Sequence, residues 1–504
     1  MVPRGPRPVH LPPPGRTVRG LTWRDEDDPG LPIKLHPCSN GEYDPPPATA
    51  VVREAMRRAL VASDDNARRL GMSRRQFLRT ACGAATTLAV LAACSKESNG
   101  GRDTGGTYSL PPDAGVDRDA AESALGGDEF VLDVQGHLLE YDLDAPVPAR
   151  WLGAGYPQAR CGEEDPRACF TTSHFLDEVF LRSDTSMAVL SAVPVGSLPG
   201  GPLDAEVMRA AMRQADQLCG EGRVLMQAHA APTAEPLPAQ LAAMGDLAAR
   251  YPIVAWKVYT HAGGPGWYLD DHDPRAPQVG RAVVDRAVEL GVHVIAVHKG
   301  FGGRSRFASP VDVGPAARDH PDVSFVVYHS GYEAGGPEGP FTEATRDVGV
   351  NRLVASVADA GIAPGGNVYA ELGSTWRSVM GAPDEAAHVL GKLLVAVGED
   401  NVLWGTDSIW FGSPQDQIQA FRAFEISEEL QERHGYPALT PELKAKVLGG
   451  NAARLYGVDP LDAPCRPSRS EREAVRASHP GPNRTYGPTT AAAVRAHIER
   501  FGWL

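Results

Sequence analysis

The sequence has no apolar run long enough to cross a bilayer as a stable helix, no dense block of lysine and arginine over its main body, and no two cysteines spaced as C-x-x-C. Each absence excludes a class. Without about 20 consecutive apolar residues there is no transmembrane helix. Without a basic stripe, and with a formal net charge of −14 over 504 residues, nucleic acid is not the expected partner. Without paired cysteines a structural zinc knuckle is not expected. No glycine-rich phosphate loop follows the first strand-like segment, which argues against an open doubly wound nucleotide-binding sheet, and no internal repeat is visible. The seven cysteines are Cys38, Cys82, Cys94, Cys161, Cys169, Cys219 and Cys465. Of these, Cys161 and Cys169 flank a short polar loop that suits either a disulfide in an oxidising compartment or two free thiols.

What is present begins with an unusual N-terminal third. Residues 1–71 form an extension with Pro-rich stretches and a helical pattern near Ala48–Leu70. Within residues 72–94, Arg74-Arg75 precedes a short, weakly apolar run that ends Leu91-Ala92-Ala93-Cys94. Paired arginines, a short apolar run and small residues before a cleavage point describe a secretory signal. The pattern resembles a twin-arginine signal, and its ending resembles a lipoprotein box, which implies export to the periplasm or cell envelope and a membrane tether through Cys94. Residues 95–128 are polar and rich in Gly, Ser, Asp and Pro, the composition of a flexible tether.

From Glu129 the pattern changes to short Val/Ile/Leu/Tyr runs that alternate with helical stretches. The strand candidates are Phe130–His137, Ser186–Val193, Val224–Ala230, Ile253–Thr260, His293–His298, Ser324–His329, Asn367–Leu372 and Val402–Asp407. Continuous apolar runs suit parallel strands buried on both faces. The helices between them, Asp204–Cys219, Pro236–Arg250, Gln278–Leu290, Thr342–Ala360 and Asp384–Val397, make βαβ units. Eight such units predict an α/β fold, a (β/α)₈ TIM barrel over residues 129–458. The segment Leu138–Thr185 is expected to lie over the mouth as a lid, and residues 459–504 form a C-terminal extension with a late helix near Thr489–Phe501.

Polar residues end the strands: Asp133-Val134-Gln135-Gly136-His137 on the first, Lys257, Tyr259 and His261 on the fourth, His298-Lys299 on the fifth, His329 on the sixth, Glu371 and then Trp376 on the seventh, and Gly405-Thr406-Asp407 on the eighth. C-terminal strand ends converge in a barrel, and imidazoles with a carboxylate there suit a divalent ion. His229, His261 and His293 read as structural or peripheral. Taken in order, these ends resemble the amidohydrolase superfamily, in the branch that includes aminocarboxymuconate-semialdehyde decarboxylase. Gly450-Asn451-Ala452-Ala453-Arg454-Leu455-Tyr456 resembles that family's closing helix.

The resemblance implies one divalent ion, Zn or Mn, with His137, His298, Asp407 and Gln135 as the metal residues. Gln135 stands where the family usually has the first histidine of His-x-His. It implies Asp407 and His329 as catalytic groups, and Lys257, Glu371 and Trp376 at the substrate. The expected activity is hydrolysis of a carbonyl-type C–N or C–O bond in a small molecule. The alternatives are a non-oxidative decarboxylase, with Lys257, Lys299 or Arg304 binding the carboxylate, and a non-catalytic binding protein on a degenerate site. Barrels of this type often pair, so a homodimer is a further expectation.

Overall fold

The computed structural model describes residues 28–144, 161, 163–194, 196–302, 305–333, 336–463, 467–478 and 485–501. Eight parallel strands run in sequence order around a barrel: β1 Leu132–Gly136, β2 Met187–Ser191, β3 Val224–His229, β4 Ile253–Tyr259, β5 Val294–His298, β6 Ser324–Tyr328, β7 Val368–Glu371 and β8 Val402–Leu403. The ring closes where Val134 N donates to Trp404 O (3.0 Å) and Gly136 bridges Ser408 in parallel. The strands are Val-, Ile- and Leu-rich because side chains on both faces are buried, one set inside the barrel and the other under the helices. Ala205–Cys219 shows how the covering helices start: the Asp204 carboxylate accepts from the backbone N–H groups of Glu206 and Val207, satisfying donors that the first turn leaves free.

Two barrel elements are shorter than the pattern predicts. Within Thr342–Ala360 only Asn351–Asp359 is α-helical, after a single 3₁₀ turn at Glu343–Thr345. Gly349, at φ 59°, bridges Glu333 just ahead of the helix, and a side chain there would meet the Glu338 carboxylate. On the eighth strand the ladder stops at Leu403. Trp404 N turns to Val447 O (3.0 Å), and Asp407 adopts a left-handed backbone at φ 58°.

The larger departure lies ahead of the barrel. Helix α1 (Ala50–Arg69) packs on α2 (Ala81–Ser98), and Phe77, Leu88 and Leu91 are fully buried. Near the start of α2 the chain packs tightly on the turn ahead of it: a side chain at Gly83 would stand 2.5 Å from Phe77 O. Polar contacts fix the pair, with Asn66 Nδ2 donating to Thr86 Oγ1 (3.0 Å) and Arg58 bound to Glu54 and Glu97. No helix among the described residues is long and apolar enough to cross a membrane. Cys94 is buried in α2, so a tether through it requires a chain in which α2 has left this packing.

Residues 95–128 are not the flexible tether their composition predicts. Gly106–Tyr108 pairs antiparallel with Phe424–Ile426, and the buried Tyr108 hydroxyl donates to Met380 O (2.5 Å). Helix α3 (Arg118–Leu125) is capped by Asp117 and buries Ala121 and Leu125. A segment this polar cannot build a core of its own; here it adds a few apolar side chains to a core that the barrel already provides.

Within the expected lid, Cys161 and Cys169 are joined as a disulfide, with Cα atoms 5.7 Å apart, and a helix covers Thr172–Leu176. Residues 145–160 of that segment lie outside the described residues, as do Arg304 and Cys465. The C-terminal extension lies against the barrel: Arg472 reaches Asp184 at 3.0 Å and Tyr486 donates to Glu178 Oε1 at 2.6 Å.

The packing of α2 gives a direct test. Leu91→Ala should lower the stability of the full chain by about 2–5 kcal/mol, the usual cost of emptying a buried leucine site. Urea unfolding reads this out, and an unchanged midpoint would show that residues 72–94 stand apart from the core.

Candidate metal centre

The site starts one layer below the barrel mouth. Asp133, on β1, is fully buried and accepts hydrogen bonds from the backbone of Gln135 and Thr406 and from the Thr406 hydroxyl. Burial pushes its carboxyl up to about 6 in spite of these bonds. The contacts tie the first strand to the turn after the last one and so fix Asp407. That turn also receives the backbone N–H of His137, which donates to Ser408 O at 2.5 Å.

Four side chains from different strand ends then meet. His137 Nδ1 faces Ser191 O at 2.8 Å, and His329 Nδ1 faces Gly373 O at 2.8 Å. A carbonyl only accepts, so each Nδ1 carries a hydrogen, and each Nε2 is turned toward the cavity. The His137 Nε2 lies 3.2 Å from Asp407 Oδ1, and the His329 Nε2 lies 3.2 Å from His298 Nε2. The Asp407 carboxylate also accepts from Gln135 Nε2 (2.8 Å), Ser374 Oγ (2.6 Å) and Asn40 Nδ2 (2.9 Å). Burial opposes its charge, but the contact with His137, the nearby His329 and the Ser374 hydroxyl hold Asp407 well below the usual carboxylate range. Burial pushes His298 and His329 the other way, toward the neutral imidazole.

This donor set fits a divalent cation. His298 and His329, both pushed toward the neutral imidazole, face each other through Nε2 beside a carboxylate, an arrangement that a cation between them would favour. The spacing is also right, since ligand atoms on bonds of about 2.1 Å stand roughly 3.0–3.4 Å apart along the edges of an octahedron or tetrahedron. Imidazoles held through Nδ1 by backbone carbonyls are the usual outer support of metal ligands. The cavity that His137, His298, His329 and Asp407 line together with Asn40, Glu42 and others measures about 10 Å³, room for one water or one ion. His329, Ser330, Ser374 and Asp407 all adopt positive φ between 50° and 58°. Such backbones cost of order 1–3 kcal/mol each and gather at functional sites.

The other expected site residues are placed differently. Gln135 turns its amide nitrogen, not its oxygen, toward Asp407, and its Oε1 is buried without a hydrogen-bond partner; it acts on the carboxylate rather than as an oxygen ligand. Glu371 does not face the cavity. It accepts from the backbone of His329 (2.9 Å) and Gly373 (2.5 Å), with burial raising its carboxyl well above the usual range. It therefore shapes the loops that carry the site, and Gly405 beside it must be glycine, because a side chain there would overlap Glu371 Oε1. Trp376 belongs to the core: its Nε1 donates to Gln417 O (3.0 Å) and its ring packs edge-on against Phe421 and Phe424. A ring so enclosed cannot touch substrate, which corrects that assignment. Lys299 is held by Asp312 at 2.7 Å and is not available to bind a carboxylate.

Lys257 is fully buried, with its amine 3.7 Å from the Tyr328 ring centroid, 4.2 Å from that of Tyr259, and without a hydrogen-bond partner. Burial lowers it from 10.5 to about 7. His229, at the end of β3, is half-buried and lowered to about 4 by desolvation, while His293 is exposed at the opposite face near Asp322 O. His261, read from the sequence as peripheral, stands at the mouth with its ring 4.7 Å from that of His298.

Two side chains at the site come from outside the barrel and carry no signal in its strand rhythm. Asn40 and Glu42 lie on the N-terminal extension, and Glu42 Oε1 is 2.9 Å from His298 Nε2. Only the polar run Ser39-Asn40-Gly41-Glu42 amid prolines marks them in the sequence.

The pH behaviour of Lys257 is a prediction. Its amine is easier to deprotonate folded than unfolded, so the unfolded chain binds the extra proton and the lysine costs stability below its unfolded pKa. Lys257→Met should raise the urea midpoint of the metal-free chain. The gain should be full below about pH 7 and fade as pH rises toward 10.5, the window set by the two values; a gain independent of pH would assign the effect to packing.

A family profile described as amidohydrolase matches residues 266–458, a stretch that carries His298, His329, Glu371 and Asp407. No curated protein sequence matches the chain significantly. Among solved structures, an uncharacterized TIM-barrel protein from Bordetella bronchiseptica aligns at 14% identity over 65% of this chain and 98% of its own (TM-score 0.40). A Pseudomonas putida protein described as a 2-pyrone-4,6-dicarboxylic acid hydrolase aligns at 18% identity over 66% and 98% (TM-score 0.39). The 5-carboxyvanillate decarboxylase of Sphingomonas paucimobilis aligns at 17% identity over 66% and 100% (TM-score 0.38). From ahead of β5 to the closing helix, the chain is thus similar in sequence to the amidohydrolase family.

Proposed function

We propose that the protein is a metal-dependent hydrolase of the amidohydrolase type, acting on a carbonyl-type C–N or C–O bond of a small molecule. The observation that carries the reading is one cavity lined by His137, His298, His329 and Asp407, in which His137 Nε2 stands 3.2 Å from Asp407 Oδ1 and His329 Nε2 stands 3.2 Å from His298 Nε2. His137, His298 and Asp407 would hold the ion, zinc or manganese by the mixture of imidazole and carboxylate donors. When bound, such an ion lowers the pKa of water and polarises a carbonyl.

The chain's own residues supply positioning and proton movement. His329, its Nδ1 fixed on Gly373 O, presents Nε2 to the cavity as a base for the attacking water. Asp407 receives or returns the proton at Oδ1, while Ser374 and Asn40 hold Oδ2. Gln135, donating to the same carboxylate, keeps it oriented.

A second reading is non-oxidative decarboxylation. It is favoured by Lys257, whose buried amine has no hydrogen-bond partner and which would pair with a substrate carboxylate. Export remains part of the proposal, to the periplasm or cell envelope. It is supported by the Arg74-Arg75 pair, which lies at the surface on a short turn capped by Ser73, and by the Cys161–Cys169 disulfide.

Elemental analysis of the full chain purified without chelators is the test. About one equivalent of zinc or manganese per chain is expected, reduced by His298→Ala and by Asp407→Ala. Asp407→Asn should abolish turnover. A chain that takes up no divalent ion would leave the non-catalytic binding-protein reading. Carbon dioxide released from an aromatic or enol acid, with loss in Lys257→Met, would select the decarboxylase.

A further inference from the structure

The N-terminal extension reaches the barrel mouth on firm anchors. Leu31, Ile33 and Leu35 are buried. The Lys34 amine donates to Phe411 O (2.9 Å) and Ser413 O (2.7 Å) and pairs with Asp416 at 3.3 Å, both side chains being fully enclosed. Arg377 donates to His36 O (2.7 Å), Ser39 N donates to Pro488 O (2.9 Å), and Tyr43 stacks on Phe301. Breaking a buried pair such as Lys34–Asp416 is costly, because it leaves an uncompensated charge. The segment is therefore built in as firmly as a barrel loop.

Its tip is shaped to deliver two side chains. Gly41, at φ 99°, makes the turn; Asn40 Oδ1 accepts from Glu42 N (3.1 Å) and Ser39 Oγ accepts from Gly41 N (2.9 Å). The Asn40 amide bridges the two carboxylates of the site, donating to Glu42 Oε2 (2.7 Å) and Asp407 Oδ2 (2.9 Å). Glu42 Oε1 then faces His298 Nε2 at 2.9 Å. That nitrogen already faces His329 Nε2 at 3.2 Å, and one N–H cannot serve two acceptors. Ligand atoms of Glu42, His261 and His298 lie within 4.8 Å of one another, and the His261 Nδ1 and His298 Nδ1 atoms are buried without hydrogen-bond partners. Such a group of oxygen and nitrogen donors is what a divalent cation collects.

We propose that Glu42 is a ligand of the divalent cation at the barrel mouth, bound together with His298, so that residues outside the barrel complete the metal site. This rests on the metal-dependent reading above. Asn40 is then a positioning residue that holds Glu42 and Asp407 at a fixed separation.

The experiment compares full-length wild type, Glu42→Gln, Glu42→Asp and His298→Ala, titrated with Zn²⁺ and Mn²⁺ against a chromogenic chelator, with thermal unfolding recorded with and without metal. Wild type should bind one ion, and Glu42→Gln should bind it at least about 10–100-fold more weakly, no less than the loss expected from removing an outer-shell partner. Glu42→Asp, which keeps a carboxylate, should recover part of that affinity. The metal-free melting temperature of Glu42→Gln should stay at the wild-type value, and the Co²⁺ absorption bands of the two proteins should differ. Wild-type affinity in Glu42→Gln with faster turnover would show a plug rather than a ligand and overturn the proposal. Wild-type affinity with a lowered metal-free melting temperature would show a purely structural role and overturn it equally. If His298→Ala loses the ion and Glu42→Gln does not, only the role of Glu42 falls; if wild type binds no ion, the metal-dependent reading falls with it.

Discussion

The crowding of several imidazole nitrogens and a carboxylate into one buried cavity is the constraint around which the barrel mouth is built. Backbone carbonyls take the Nδ1 hydrogens of His137 and His329, and the Nε2 atoms point at Asp407 and at His298. Like-charged or lone-pair-bearing groups do not gather in a buried cavity unless something positive offsets the cost. Much of the surrounding structure serves to hold that unfavourable arrangement: Asp133 clamps the closing strands, Glu371 grips the loops after β6 and β7, and the residues carrying the site accept left-handed backbones.

The carboxylates divide this work according to their surroundings. Asp407 is surrounded by donors and stays ionised, whereas Asp133 and Glu371 sit where burial outweighs their backbone partners and are pushed toward the protonated form. One charged carboxylate at the mouth above two that are easily neutralised keeps the local charge low enough to be enclosed, while leaving a strong ligand where a cation would need it.

How much of this was legible in the sequence depends on distance along the chain. The barrel was legible because each parallel strand is buried on both faces and so appears as a short apolar run, whatever the rest of the chain does. His137, His298, His329 and Asp407 were legible as strand-end residues because a barrel brings such ends together. The seventh strand misled: Glu371 and Trp376 follow the same rule of position, but one turns under the loops and the other into the core, and strand rhythm does not record which way a side chain turns after the ladder ends. The N-terminal third carries two readings in one composition. Small, weakly apolar residues such as Ala81–Ala85 and Ala92-Ala93-Cys94 are the composition of an export signal and equally of a tightly packed helix pair, and the two differ only in what lies across from them. Asn40 and Glu42 were invisible because their partners are hundreds of residues away and no local period leads to them.

Asn40 and Asp407 are separated by 367 positions yet share a hydrogen bond, and this has a consequence for how the protein comes into being. Contacts between distant segments form late, after the loop entropy between them has been overcome. During synthesis the tip of the extension waits, with its glutamate and asparagine exposed, while seven strands emerge, and it can settle only once the last strand has closed the ring. A chain interrupted anywhere before residue 407 would hold Asn40 without the carboxylate to which it donates.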